Sequence, residues 1–177
     1  MGKNALELKH QDLDLLRKEI GFLFQGSALY DSMTVRENLE FPLRKQQMGQ
    51  EKKDALVSVA LESVGLLDAV DLMPNELSGG MKRRIALARA IILKPKIIIY
   101  DEPTTGLDPI TAKEIILLMK EIQIKYGSSA LIITHDVDCS RVIADRMILL
   151  IDGVNYAEGS FEELSSAKDK KIQAFFK

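Results

Sequence analysis

The stretch Lys96-Ile97-Ile98-Ile99-Tyr100-Asp101-Glu102-Pro103 decides the fold. Its apolar, β-branched run is short and bounded, which reads as a strand buried on both faces, the habit of parallel sheets. The run ends in two adjacent carboxylates. Open α/β sheets bind ligands at the C-terminal ends of their strands, so Asp101 and Glu102 are candidates for chemistry. Their plainer reading is two acids at a solvated strand end.

Outward from this strand, Ala130-Leu131-Ile132-Ile133-Thr134 and Met147-Ile148-Leu149-Leu150-Ile151 have the same character. A weaker fourth candidate is Ile20-Gly21-Phe22-Leu23-Phe24. The three strong runs are expected as buried parallel strands. Helical patterns lie between them, at Ile85 to Ile92, Thr111 to Ile124 and Val137 to Ala144. Such alternation predicts an α/β fold with a parallel sheet and crossover helices. From about residue 27 to 76 the periodicity is helical (Val35, Leu39, Leu43; then Leu56, Val59, Ala60, Val64) without a convincing strand. This segment is expected to be a helical insertion between the first strand and the rest of the sheet. Asp152-Gly153 is a hairpin turn signal followed by a short return, Asn155-Tyr156-Ala157,. Ser160-Phe161-Glu162-Glu163 then forms a capping box that opens a terminal helix,.

Composition narrows the function. A chain of 177 residues, 46% of them hydrophobic, buries enough surface for one domain without a metal or disulfide staple. With 24 Lys and Arg against 26 Asp and Glu, the net charge of −2 excludes a nucleic-acid or anionic-membrane binder driven by bulk charge. The single cysteine, Cys139, excludes an internal disulfide framework and a multi-cysteine zinc site, in keeping with a reducing cytosol. Neither an apolar leader nor a membrane-length apolar window is present, so a cytosolic domain is expected.

Three further elements bear on chemistry. Leu77-Ser78-Gly79-Gly80 precedes the helix that starts near Met81. A hydroxyl, backbone N–H groups unobstructed by Cβ atoms, and the positive end of a helix dipole make an anion site there, suited to a terminal phosphate. Taken alone, Ser78 is more often a plain N-cap. His135, in Ile133-Thr134-His135-Asp136, stands just past a strand end, where its imidazole can sense the same phosphate or serve a structural purpose,. Gln25, after Phe24, places a long amide at the end of the first strand, able to reach a metal or water, or reads simply as a loop residue.

In order and spacing, these elements resemble the ATPase subunits of ABC transporters. Gln25 matches the Q-loop, Leu77-Ser78-Gly79-Gly80 the signature motif, and Asp101-Glu102 the Walker B strand with its catalytic Glu. Gly106-Leu107-Asp108 matches the D-loop and His135 the H-loop. Met81 in place of the usual Gln, Lys82-Arg83-Arg84, Phe41-Pro42-Leu43-Arg44 and Asp108-Pro109-Ile110 are similar to the Mla-type ATPases, which power phospholipid movement between bacterial membranes. The resemblance implies a P-loop NTPase-type parallel sheet with ATP and Mg²⁺ as ligands. It assigns Asp101 and Gln25 to the metal, Gln25 also to catalysis by reporting nucleotide state to the helical region, Glu102 to the attacking water and His135 to the γ-phosphate. Ser78, Gly79, Gly80 and Asp108 are assigned to the nucleotide sandwiched at a dimer interface. It further implies a second ATPase subunit (a homodimer in the parent), a membrane permease and a lipid-binding MCE protein, with no nucleic-acid partner. The expected location is the inner face of the bacterial inner membrane, through the permease. Leu29 to Val35, following Gln25, is the candidate permease contact, although Met33 and Val35 read equally well as core residues.

One family element is missing: no G-x-x-x-x-G-K-[ST] occurs in the sequence. Gly2-Lys3-Asn4 instead resembles the hairpin that follows the P-loop helix in the family. The expectation is therefore an incomplete sheet and a partial ABC ATPase domain over residues 1–177. Its parts are a helical subdomain at about 27–76 and the signature helix, Walker B, D-loop, H-loop, terminal hairpin and helix at 77–177. An exposed apolar sheet edge and an isolated chain without ATPase activity are expected as well. Two other classes share these motifs: a soluble non-transport ABC ATPase, and a non-catalytic subunit that donates its signature motif to a partner.

Overall fold

The computed structural model of the chain describes residues 7–176, the side chain of His10 excepted. The reading of Gly2-Lys3-Asn4 lies outside the described residues. Contacts divide the chain into two compact units, with the boundary between Ile133 and Thr134.

The first unit contains α1 (His10–Lys18), β1 (Ile20–Leu23), α2 (Val35–Glu40), α3 (Gln50–Ser63), α4 (Gly79–Ile91), β2 (Ile97–Asp101), α5 (Pro109–Tyr126) and β3 (Ser129–Ile133). Its sheet is parallel in the order β1-β2-β3, with Leu23 beside Tyr100 and Tyr100 beside Ile132. Between β1 and α4 the regular elements are helices, α2, α3 and short 3₁₀ turns joined by loops, and no strand occurs among the described residues.

The two faces of this sheet differ. Leu23, Ile98 and Tyr100 share one face and are each 1% exposed. On the other face, Phe22, Ile99 and Leu131 stand in register, and Leu131 and Ile133 are 55% and 47% exposed. The β3 run was expected to be buried; in the structure it is an edge strand with one open face. An apolar run satisfies the sequence pattern for burial, but only neighbouring elements cover both faces.

Helix α4 is the hub of the unit. It packs against β1, α2, α3 and α5, and Ile85, Ala86, Leu87 and Ala88 are at most 1% exposed. Its approach to β1 requires Gly21. A Cβ there would overlap the Ala90 carbonyl oxygen and come within 2.9 Å of the Pro95 ring, so the strand can lie this close only without a side chain.

The second unit contains α6 (Val137–Ile143), β4 (Met147–Ile151), β5 (Val154–Gly159), α7 (Phe161–Ser165) and α8 (Lys170–Phe175). The run Met147 to Ile151 does not join the parallel sheet, contrary to its sequence reading. It pairs antiparallel with β5 in a two-stranded sheet. Asp152 and Gly153 both take positive φ (53° and 79°), and this tight turn leaves the chain no crossover length for parallel pairing. Met147 and Leu149 bury inward with Leu164 and Ile172, while Leu150 is 74% exposed. The Ser160 capping box forms as predicted, with Ser160 Oγ accepting from Glu163 N–H and Glu163 Oε2 accepting from Ser160 N–H.

Two outcomes follow from this packing. Gly21→Ala forces the Ala90 backbone aside and lowers stability by about 1–3 kcal/mol, measured by urea denaturation; an unchanged midpoint would contradict the close approach. Tyr100, by contrast, has a buried hydroxyl without a hydrogen-bond partner among the described residues, and burial raises its phenol above the ordinary range. The folded state therefore holds this proton more tightly than the unfolded chain. The contribution is intact below about pH 10 and lost as pH rises beyond it toward the higher folded value. Tyr100→Phe removes both effects: stability at pH 7 rises by about 1 kcal/mol, and the loss of stability above pH 10 becomes shallower.

Candidate functional site

Strand β2 carries Asp101 to its C-terminal end, and the register that sets Leu23 beside Tyr100 brings Phe24-Gln25 to the same edge of the sheet. Gln25 is exposed and Asp101 half-buried. Glu102 leaves the strand with φ +46°, a left-handed conformation that is uncommon away from glycine and concentrates at functional sites. The bonds that hold it there include its N–H donating to the Ile133 carbonyl at 2.9 Å and its Oε2 accepting from Thr105 Oγ1 at 3.0 Å. Thr105 was not recognised from sequence, although it follows the two carboxylates within one turn.

The donor set suits a hard cation. Asp101 offers a carboxylate oxygen and Gln25 an amide oxygen, the chemistry that Mg²⁺ takes alongside water and phosphate. No cluster of three or more His, Cys, Asp or Glu that could hold a metal occurs among the described residues, so a site here would use these few protein oxygens.

The start of α4 combines capping with packing. Ser78 is its N-cap, Oγ accepting from Met81 N–H at 3.2 Å. A Cβ at Gly79 would meet only Leu107 Cδ2, at 3.8 Å, whereas one at Gly80 would lie 2.7 Å from Thr111 Cγ2. Gly79 thus leaves its backbone approachable, and Gly80 lets α4 and α5 meet. Asp108 caps α5, its Oδ1 accepting from the N–H groups of Ile110 and Thr111 at 3.0 Å and its Oδ2 from Thr111 Oγ1. The hydrogen bond from the Thr111 hydroxyl, with those from the backbone N–H groups, holds the Asp108 carboxyl below its ordinary value. Thr111 therefore connects Gly80 to Asp108, a link that no sequence pattern marks.

The loop after Gln25 is held by side chains outside the sequence motifs. Arg83, 3% exposed, donates from Nη1 to the Phe24 carbonyl at 3.1 Å and from Nη2 to the Thr105 carbonyl at 3.2 Å. Burial lowers its pKa. Arg89 donates to the carbonyls of Ala28 and Ser27 at 2.8 and 3.0 Å, with its guanidinium 6.0 Å from the Tyr30 ring centroid. Asn38, fully buried, donates from Nδ2 to the carbonyls of Tyr30, Met33 and Thr34 and accepts from Tyr30 N–H. An arginine inside the apolar run of α4 and an asparagine between Val35 and Leu39 were the available signals, since a buried polar group must find partners.

In the segment Leu29 to Val35, Val35 is core, at 0% exposure, so it is not available to a partner. Tyr30, Asp31 and Ser32 are exposed. A cleft of about 430 Å³ opens beside them, lined by Phe22, Phe24, Tyr30, Phe41, Arg17 and Arg89 among others. His135 belongs to the second unit. It is exposed, one residue before Asp136, whose Oδ1 caps α6 by accepting from Cys139 N–H at 3.1 Å. Cys139 itself is buried.

Comparison with known proteins agrees with this geometry. The chain is 38% identical over 177 residues to the "Intermembrane phospholipid transport system ATP-binding protein MlaF" of Haemophilus influenzae, which covers 99% of this chain and 67% of that protein. It is also 38% identical to the "Methionine import ATP-binding protein MetN" of Mannheimia succiniciproducens, covering 99% of this chain and 51% of that one. The chain thus spans between half and two-thirds of the length of these relatives. Among solved structures, the dimeric post-hydrolysis ATP-binding cassette MJ0796 bound to ADP and Pi superposes with a TM-score of 0.76 at 33% identity, over 88% of this chain and 68% of that one. A family model described as "ABC transporter" matches residues 2–105, from before the first strand to past the paired carboxylates. The chain belongs to the ABC transporter ATPase family, on a P-loop NTPase fold.

Proposed function

We propose that this chain is part of the ATP-hydrolysing subunit of a transporter that moves phospholipid across the bacterial envelope. The observation that supports the hydrolytic reading is the strand register that places Gln25, Asp101 and Glu102 at the same C-terminal end of a parallel sheet. The phospholipid reading is supported by the MlaF relative and by Met81, Phe41-Pro42-Leu43-Arg44 and Asp108-Pro109-Ile110. Overall identity does not separate it from methionine import, since both relatives match equally well.

In this reading Asp101 and Gln25 hold Mg²⁺ through oxygen. The ion, when bound, neutralises phosphate charge during transfer. Glu102 orients or deprotonates the attacking water, and Thr105 restrains its carboxylate before that step. His135 binds the γ-phosphate. Ser78, Gly79 and Gly80 present N–H groups at the positive end of α4 to a nucleotide held by a second ATPase subunit, and Asp108 crosses to that subunit. Tyr30, Asp31 and Ser32 face a membrane permease, which works with an MCE lipid-binding protein. No helix among the described residues is long and apolar enough to cross a membrane, so attachment to the inner face of the inner membrane runs through the permease.

The nucleotide's α- and β-phosphates need a positive cradle of backbone N–H groups and a lysine. The chain has no G-x-x-x-x-G-K-[ST], and its strand-end carboxylates add negative charge. Titrated with Mg-ATP, the isolated chain is expected to show no saturation below ~1 mM, about −4 kcal/mol of binding; saturation below that level overturns the expectation. Mixed with a full-length MlaF-type subunit, the chain should still raise ATP hydrolysis by completing the partner's site. Ser78→Arg should cut that gain at least about tenfold by placing a side chain at the phosphate position. Equal stimulation by both forms refutes signature donation, and stimulation only of a methionine-import subunit refutes the phospholipid assignment.

A further inference from the structure

Three consecutive residues at the exit of β1 have left-handed backbone: Gly26 at φ +72°, Ser27 at +70° and Ala28 at +46°. Glycine adopts this conformation freely, whereas Ser27 and Ala28 do so against the contact between Cβ and the carbonyl oxygen. Left-handed residues outside glycine persist only where their surroundings over-determine them. Here Arg89 takes two successive carbonyls with one guanidinium, Nη1 on Ala28 at 2.8 Å and Nη2 on Ser27 at 3.0 Å. Ser27 N–H donates back to the Phe24 carbonyl at 3.1 Å, the same oxygen that accepts from Arg83 Nη1.

Both arginines stand on α4, and their six-residue separation spans about 9 Å of helix axis. They grip the loop at two points, Phe24 on one side of Gln25 and Ser27-Ala28 on the other. Gln25 is exposed between them.

We propose that Arg89 is a positioning residue for Gln25: it holds Ser27 and Ala28 in the left-handed conformation while Arg83 anchors Phe24, so that α4 sets the placement of Gln25. The same helix begins at Ser78. A shift of α4 therefore reaches the loop through two charged hydrogen-bonding groups, and the loop releases backbone strain when the Arg89 contact is lost. The functional meaning of this clamp rests on the reading of Gln25 given above, but the clamp is tested without nucleotide, so the two fail separately.

The test uses the full 177-residue chain. Ala28→Gly removes the left-handed penalty at that position and loosens the unfolded chain, so in the presence of Arg89 the folding equilibrium constant should rise about two- to fivefold. Arg89→Lys keeps the charge but loses the planar fork that sets one arm on each carbonyl. In that background the gain should vanish or reverse, because a relaxed loop no longer rewards glycine. Amide–Hα couplings and Cα chemical shifts should report left-handed Ser27 and Ala28 in the original chain. In Arg89→Lys these signals should move to the right-handed or extended range, together with those of Gln25. A purely structural arginine would lower stability without moving them. Retention of the left-handed signals in Arg89→Lys, or an equal gain from Ala28→Gly in both backgrounds, overturns the proposal. Should Arg89→Lys not fold, the original chain decides alone: no gain from Ala28→Gly shows that no strain is held at that residue.

Discussion

A guanidinium buried in a helix core must find oxygen atoms, because an unpaired buried cation costs far more than the packing around it returns. Arg83 is in this position. Its helix, α4, is packed against β1, α2, α3 and α5, and the acceptors within its reach are the carbonyls of Phe24 and Thr105. Those two oxygens belong to the loops that follow β1 and β2. Pairing its two Nη groups therefore locates both loops relative to α4, and with them the residues of the candidate site, while its buried Nε has no partner among the described residues. Arg89 repeats the arrangement further along the helix, with the carbonyls of Ser27 and Ala28.

The rest of the site is organised by groups that serve the backbone first. Ser78 and Asp108 cap α4 and α5, Thr111 joins the two helix starts, and Thr105 holds the Glu102 carboxylate. Each is an ordinary way of satisfying N–H groups at a helix end or of fixing a strained residue. The same devices leave N–H groups and carboxylates at the C-terminal edge of a parallel sheet, where such folds receive their ligands. In the proposed site, capping and ligand recognition would share the atoms of Ser78 and Asp108.

Much of this was legible along the chain. The runs at Ile97 and Ala130 became β2 and β3, and the weaker one at Ile20 became β1. The Asp152-Gly153 turn and the Ser160 box formed where their residues placed them. The same capping pattern at Thr34-Val35-Arg36-Glu37 was equally readable and opens α2. Met147 to Ile151 was assigned to the wrong sheet because an apolar run reports burial and not a pairing partner; the short turn that follows decided the pairing. Leu131 and Ile133 proved exposed for the related reason that hydrophobicity does not say whether a covering element is present. Asn38, Arg83 and Arg89 went unrecognised because their partners are backbone carbonyls, which every residue has and no sequence pattern singles out.

By itself, then, the sequence determined the local states and the chemical groups: apolar β-branched runs for strands, 3.6-residue periodicity for helices, and paired carboxylates, a glycine pair and an amide for the site. These follow from side-chain sterics and periodicity, which act over a few residues. Tertiary structure alone decided that β1, β2 and β3 lie in register, so that Gln25 and Asp101 follow neighbouring strands at the same end of the sheet, and that Gly80 has to clear Thr111. It also decided that Arg83 and Arg89 reach across 59 to 62 residues of chain to hold the Gln25 loop in a strained backbone. Such contacts depend on where a helix comes to rest against a sheet, and that is settled only when the whole core packs.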